Sequence, residues 1–199
     1  MNKIITIGRE FGSGGRELGR RLAEGLGIEY YDREILTKLV ERTAFTERYI
    51  REVEERIPHP LYPITIGRSF FIPEDQNLRQ ARRIFQEQSQ ILRELAKKSD
   101  CVIVGRCADD ILRKYHPYRV FVYADLESRV RRCRDRAGGA SGLTEEEIRR
   151  QIRRVDRGRA KYYAYHTERK WGGKENYDLC VNTTETSIKA LASILARIV

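Results

Sequence analysis

The chain's most legible chemistry lies in Gly8-Arg9-Glu10-Phe11-Gly12-Ser13-Gly14-Gly15-Arg16-Glu17. Three of the four positions from Gly12 to Gly15 are glycine, which lets successive backbone N–H groups turn toward one point. Lys3-Ile4-Ile5-Thr6-Ile7 precedes the loop and reads as a buried strand. Gly15–Leu26 follows, with Leu18, Leu22 and Leu26 along one helix face and Gly27 closing it. A helix N-terminus adds its positive end to the inward N–H groups, and the result is an anion cradle suited to phosphates. Its candidate residues are Gly12, Ser13, Gly14, Gly15, Arg16 and Glu17. A plain Gly-rich turn is the competing reading.

Two phosphate-loop patterns come close and fail. With Gly14 as the second glycine of G-x-x-x-x-G-K-[ST], the first position holds Arg9 and the lysine position holds Gly15, followed by Arg16 and Glu17. Either the lysine is missing outright, or its charge comes from Arg16, the nearest cation, or from Arg9. In G-x-G-x-x-G, Glu17 occupies the third glycine's place. Asp32 lies near the ribose-binding distance, so a dinucleotide fold is the runner-up.

Positioning falls to elements that alternate along the chain. Ile28–Tyr31, Cys101–Val104, Arg119–Tyr123 and Asp178–Val181 read as strands. Ala108–Tyr115, Leu126–Arg136 and Thr144–Tyr163 read as helices, the last opening with a Thr144-x-x-Glu147 capping box. Ile188, Leu191, Ile194, Leu195 and Ile198 stripe a terminal helix. In the middle, Thr46 starts a helix that runs to Ile57, Leu61–Asp75 reads as a loop, and Gln76–Lys98 is helical. Strands between helices predict one α/β domain over residues 1–199, a parallel sheet covered on both faces. The plausible insertions are at about 36–98 and 137–171.

The 199 residues carry a formal net charge of +10, and no apolar run approaches the roughly 18–20 residues of a membrane span. The N-terminus resembles neither a signal nor a transit peptide. The four cysteines lack a C-x-x-C pair and read as reduced thiols of a cytoplasmic protein. Between Arg129 and Lys161 stand twelve Lys/Arg against five Asp/Glu. Such a field attracts nucleotide phosphates or a nucleic-acid backbone, unless it is only a solvated helix face. His59, His116 and His166 are scattered and suggest no metal site. Tyr162, Tyr163 and Tyr165 pack a helix or stack bases.

Ile4 through Leu18 resembles the opening of the cytidylate-kinase-like proteins. Further matches follow in order. Leu26–Asp32 looks like the second strand and its aspartate, and Val102–Arg106 the strand that ends in a substrate-binding Gly-Arg. Asp156-Arg157-Gly158-Arg159-Ala160 resembles the lid, and Tyr177–Thr184 the last strand. The resemblance implies a three-layer P-loop kinase fold, with a five-stranded parallel sheet flanked by helices. Residues about 36–98 would form a helical acceptor-binding insert and about 137–171 an Arg-rich lid. It implies ATP with Mg²⁺ as phosphoryl donor, with the residue that holds the metal unassigned. The catalytic candidates are Arg16, Arg157 and Arg159, and the substrate-binding candidates Asp32, Arg106 and Asp156; Arg132 joins the arginines placed near the moving phosphoryl group. The chain departs from the cytidine-reading pattern at Arg33, where a small hydroxyl residue is usual, and at Cys107, where an aspartate is usual.

The expected function is phosphoryl transfer from ATP to a nucleoside monophosphate or related small acceptor. A nucleotide-binding protein with little or no kinase activity is the alternative that the missing lysine raises. A basic nucleic-acid-binding protein ranks last, because it gives no reason for the glycine loop.

Overall fold

The structure is a computed structural model and describes residues 2–55, 64–66, 69–71, 76–136 and 143–199. The elements run β1 (Ile4–Arg9), α1 (Gly15–Leu26), β2 (Glu29–Tyr31), α2 (Arg33–Thr43), α3 (Glu47–Glu55), β3 (Ile64–Ile66), β4 (Ser69–Phe71), α4 (Gln76–Lys98), β5 (Cys101–Val104), α5 (Ala108–Ile111), β6 (Tyr118–Tyr123), α6 (Leu126–Arg136), α7 (Glu145–Thr167), β7 (Leu179–Asn182) and α8 (Ile188–Leu195). A five-stranded sheet in the order β2-β5-β1-β6-β7 is parallel throughout. β1 has β5 and β6 as neighbours. A dinucleotide fold would set β2 beside β1, so the runner-up reading fails on strand order.

The period-two pattern of the strands sorts the core into two layers. Ile4, Cys101 and Ile103 face one way and pack with Ile35, Leu39, Ile84, Ile91 and Leu92 of α2 and α4. Ile5, Ile7, Val102, Val104, Val120 and Val122 face the other way, against Leu18, Leu22 and Ala23 of α1 and Ala192 and Leu195 of α8. The near-continuous apolar strands are what burial on both faces demands.

Most boundaries match the sequence reading. α1, α4, α6 and β5 span the expected residues, and Thr46 accepts from the Tyr49 N–H at 3.2 Å at the head of α3. The helix expected over Ala108–Tyr115 divides into α5 and a 3₁₀ turn at Arg113–Tyr115. Leu61–Asp75 is corrected from loop to hairpin in part: β3 and β4 pair antiparallel, with Thr65 opposite Phe70. Threonine, isoleucine and phenylalanine favour a strand, and the nearby prolines masked that signal. Ile57, Pro58, Pro60 and His59 lie outside the described residues, as does the glycine-rich stretch 137–142. All four cysteines are free. Among the described residues no helix is long and apolar enough to cross a membrane.

Candidate functional site

Strand order decides which side chains meet. β2, β5 and β1 lie side by side and end at nearly the same level: Tyr31 pairs with Ile103, and Ile7 with Val104. The residues at and just beyond these ends are Asp32, Arg106 and Arg9, so the topology sets a carboxylate and two guanidinium groups in a row along the sheet's carboxyl edge. Ligands in open α/β sheets bind at this edge.

The glycine loop joins β1 to α1 beside this row. Gly12 and Gly14 take φ of 80° and 85°, the left-handed region that glycine enters without Cβ cost. Gly14 is the N-cap residue and has no side chain to offer the first turn of α1. The helix's leading N–H groups are therefore left for an anion. The loop is braced from behind. Ser13, fully buried, donates to the Glu10 carbonyl at 2.9 Å, and Thr183 Oγ1 donates to the Ser13 carbonyl at 2.7 Å. The Phe11 N–H donates to Asp156 at 2.7 Å. Asp156 also pairs with Arg129 at 2.5 Å, and Glu10 lies 3.3 Å from the same guanidinium. Burial raises the Glu10 carboxyl pKa, with Arg129 opposing the rise.

Two cavities open at the loop. One is lined by Gly12, Gly14, Gly15, Arg16, Arg132 and Arg136, with Phe11, Ile148 and Val155 as an apolar wall. The other lies toward β5, where Arg9, Arg16, Arg51, Arg106 and Arg159 share the lining with Tyr162, Trp171 and Tyr177. Arg9, Arg16, Arg51 and Arg159 line both.

Two of the arginines in the second cavity share one carboxylate. Arg16 Nε sits 2.6 Å from Asp32. Arg9 lies 4.0 Å from the same carboxylate. Asp32 makes no capping bond to α2, so the simple N-cap explanation for it does not hold. Arg159 Nη1 donates to the Arg9 carbonyl at 3.1 Å, and its guanidinium lies 5.6 Å from the Phe11 ring centre. Arg106 follows β5 in a turn where Gly105, Arg106 and Cys107 have φ of 76°, 65° and 53°. Gln88 donates to the Arg106 carbonyl at 3.0 Å and pins that turn. Burial lowers the Arg106 pKa to about 10, with Arg9 adding like-charge repulsion. Arg9 is lowered for the same leading reason, partly offset by Asp32.

The structure thus brings together Gly12, Gly14, Gly15, Arg16, Asp32, Arg106 and Arg159. Ser13 and Glu17 stand aside: Ser13 braces the loop, and Glu17 pairs with Arg21 at 2.8 Å. Asp156 holds Phe11 and Arg129 instead of facing the second cavity, because both its oxygens are taken. Arg157 is exposed, since it sits on the outer face of α7 between Asp156 and buried Gly158. Arg132 donates to the Thr183 carbonyl and lines the loop cavity. The crowding of like charge along α7 is relieved by solvent: Arg150, Arg153, Arg154 and Arg157 all point outward. Tyr162 and Tyr163 are buried in packing, the latter donating to Asp109 at 2.6 Å. Sequence reasoning missed Arg51, which pairs at i,i+4 with Glu47 as an ordinary surface helix residue would.

A triphosphate fits the donor set of loop amides and guanidinium groups. Magnesium has less protein to hold it: among the described residues no three His, Cys, Asp or Glu cluster around one point. Such an ion would be held largely by nucleotide phosphates and water, with Asp32 a carboxylate beside Arg9 and Arg16.

The model of the cytidylate kinase-like family matches residues 4–185. An uncharacterized protein from Eubacterium ventriosum has a similar structure, with a TM-score of 0.72 at 24% identity, covering 99% of this chain and 98% of that one. A shikimate kinase from Bacteroides thetaiotaomicron gives 0.59 at 16% identity, covering 98% and 97%. Shikimate kinase from Acinetobacter baumannii, solved in complex with shikimate, gives 0.55 at 18% identity, covering 100% and 92%. No curated protein matches the chain. At these identities the solved structures speak for the fold, which is that of the P-loop kinases.

Proposed function

The chain belongs to the cytidylate kinase-like family, and on that premise we propose that it transfers a phosphoryl group from ATP to a small phosphorylated acceptor, a nucleoside monophosphate or a related metabolite. The observation that carries this reading is the cavity where Arg9, Arg16, Arg51, Arg106 and Arg159 converge, directly beside the glycine loop. So many guanidinium groups in one partly enclosed space repel one another, and an anion with several oxygens relieves them.

ATP with Mg²⁺ would supply the phosphoryl group, its β–γ P–O bond breaking as a new P–O bond forms to the acceptor. The chain's own work is positioning and charge. The amides of Gly12 and of Gly14–Arg16 orient the donor phosphates, and Arg132 adds charge at that cavity's rim. Arg106 and Arg51 hold the acceptor's anionic end. Arg9, Arg16 and Arg159 line both spaces and oppose the charge that develops between them. Trp171 and Tyr162 give the acceptor cavity an apolar wall that sheds water. The departures at Arg33 and Cys107 leave the acceptor's base unassigned. Binding without turnover is the second reading, favoured by glycine at the lysine position.

An ADP-release assay across the common nucleoside monophosphates and a panel of small hydroxylated and phosphorylated metabolites tests the reading. Turnover confined to one chemical class is the expected outcome. Calorimetric binding of ATP–Mg²⁺ with no turnover on any acceptor favours the second reading. Binding of single-stranded RNA in preference to ATP would support the nucleic-acid reading instead.

A further inference from the structure

Resting on that reading of the loop as a triphosphate site, we infer that Arg9 takes over the role of the absent P-loop lysine, and that Arg9 and Gly15 are a reciprocal exchange of cation and glycine across the loop.

In the lysine-bearing pattern the first loop position is glycine and lysine follows the second glycine. Here the first holds Arg9 and the lysine position holds Gly15. The structure shows why the two changes come together. A Cβ placed on Gly15 would stand 2.5 Å from Arg9 Cβ and 3.0 Å from Arg9 Cγ. The stem of Arg9 therefore fills the space where a side chain at position 15 would begin. Cβ is fixed to the backbone, and no side-chain rotation moves it away. A lysine at 15 and an arginine at 9 exclude each other.

The charged end goes where the role needs it. From the end of β1 the Arg9 chain crosses the loop's mouth toward β5, and its Nη1 occupies the space of a Cβ on Gly105. Arg9 lines both cavities. Its guanidinium lies 4.0 Å from Asp32, and Arg159 donates to its backbone carbonyl. Its side chain is only 14% exposed, against 42% for Arg16. A buried cation between a donor cradle and an acceptor cavity is placed to touch the group that passes from one to the other. Arg16, which sits one residue past the vacant lysine position, is the nearer cation in sequence. Its guanidinium is turned onto Asp32.

The test is an exchange series with ATP–Mg²⁺ and inorganic triphosphate as probes, read by calorimetry. Arg9→Met keeps the stem and removes the charge. It should fold with an unchanged Tm and bind both probes more than tenfold more weakly, a loss of at least about 1.4 kcal/mol. Gly15→Lys alone should bind poorly because the stems collide. The double variant Arg9→Gly/Gly15→Lys should bind within a few fold of the parent protein, and Arg16→Ala should lose less than Arg9→Met. The inference is overturned if folded Arg9→Met binds both probes as the parent does. It is equally overturned if the double variant binds no better than Arg9→Gly alone. If the parent binds triphosphate and Arg9→Met does not, yet no acceptor is turned over, the inference stands and the kinase reading falls. A parent protein that binds neither probe sinks both.

Discussion

Arg106 shows in one residue how the chain trades backbone comfort for chemistry. Three consecutive left-handed residues, Gly105 to Cys107, end β5, and the non-glycine members each cost roughly 1–2 kcal/mol. Strain of this kind persists where surroundings over-determine it, and here it directs a buried guanidinium into the cavity. Arg106→Gly removes both the strain and a buried charge. We expect folding stability in urea to hold or rise by about 1 kcal/mol, while affinity for the phosphorylated acceptor falls more than tenfold. A loss of stability with acceptor affinity kept would make the guanidinium a structural group. Asp156 is the opposite case. It accepts from the Phe11 N–H and pairs with Arg129, both side chains no more than 15% exposed. Asp156→Asn leaves a buried arginine with Glu10 as its remaining carboxylate at 3.3 Å. Breaking such a pair costs roughly 3 kcal/mol, and a Tm drop of about 6–12 °C should follow for a chain of this size. A Tm unchanged within a degree would mean that Glu10 alone satisfies Arg129.

Among the elements, α7 joins the site to the core. Its buried face of Ile148, Ile152, Val155, Gly158, Tyr162 and Tyr163 packs inward, and its outer face carries the exposed arginines. The capping box that opens it was legible because Thr144 and Glu147 act locally, and both reciprocal bonds form. The strands and the glycine loop were legible for the same reason: period-two burial and glycine conformation are local properties. The placement of Arg9 was not, because it depends on β5 lying beside β1, a neighbour 97 residues away in the chain. The bonds of Asp156 were not legible either, since its partners Phe11 and Arg129 come from other elements. The far end of α7 carries a pH response. His166 stacks on Phe85 of α4 with ring centres 3.8 Å apart, and burial lowers its pKa to about 4. In the unfolded chain histidine titrates near 6.5. Below about pH 6.5 the unfolded chain takes up a proton that the folded imidazole refuses, so stability present above that pH drains away as pH falls toward about 4. His166→Phe should preserve the stack and flatten the decline in Tm between pH 7 and pH 5. A decline as steep as the parent's would place the acid sensitivity elsewhere.

At the scale of the molecule, the sheet edge, the glycine loop and α7 form one connected unit. Asp156 and Arg159 lie three residues apart on the inner side of α7 and reach the loop at two points, the Phe11 amide and the Arg9 carbonyl. Ile148 and Ile152 hold the same helix against Val130 of α6, and α6 reaches the residue after β7 through Arg132 and Thr183. An anion that binds the loop would meet groups tied to α7, so whether residues about 137–171 act as a lid is a matter of coupling between the two. A lid excludes water only when substrate is in place. If α7 closes further on ligand, its amides should gain protection when donor and acceptor bind together. Hydrogen exchange followed by mass spectrometry, alone, with ATP–Mg²⁺, and with ATP–Mg²⁺ plus acceptor, separates the cases. We expect slower exchange across the first turns of α7, residues 145–155, and in the loop 10–16, with the larger effect in the ternary state. The Asp156→Asn protein should show protection in the loop without protection in α7, because the tie between them is cut. Equal exchange in all three states, with binding shown by calorimetry, would make α7 a fixed wall of the site. Its arginines would then act from where they already stand: Arg159 inside, and the others as a solvated outer face that gives the chain its charge.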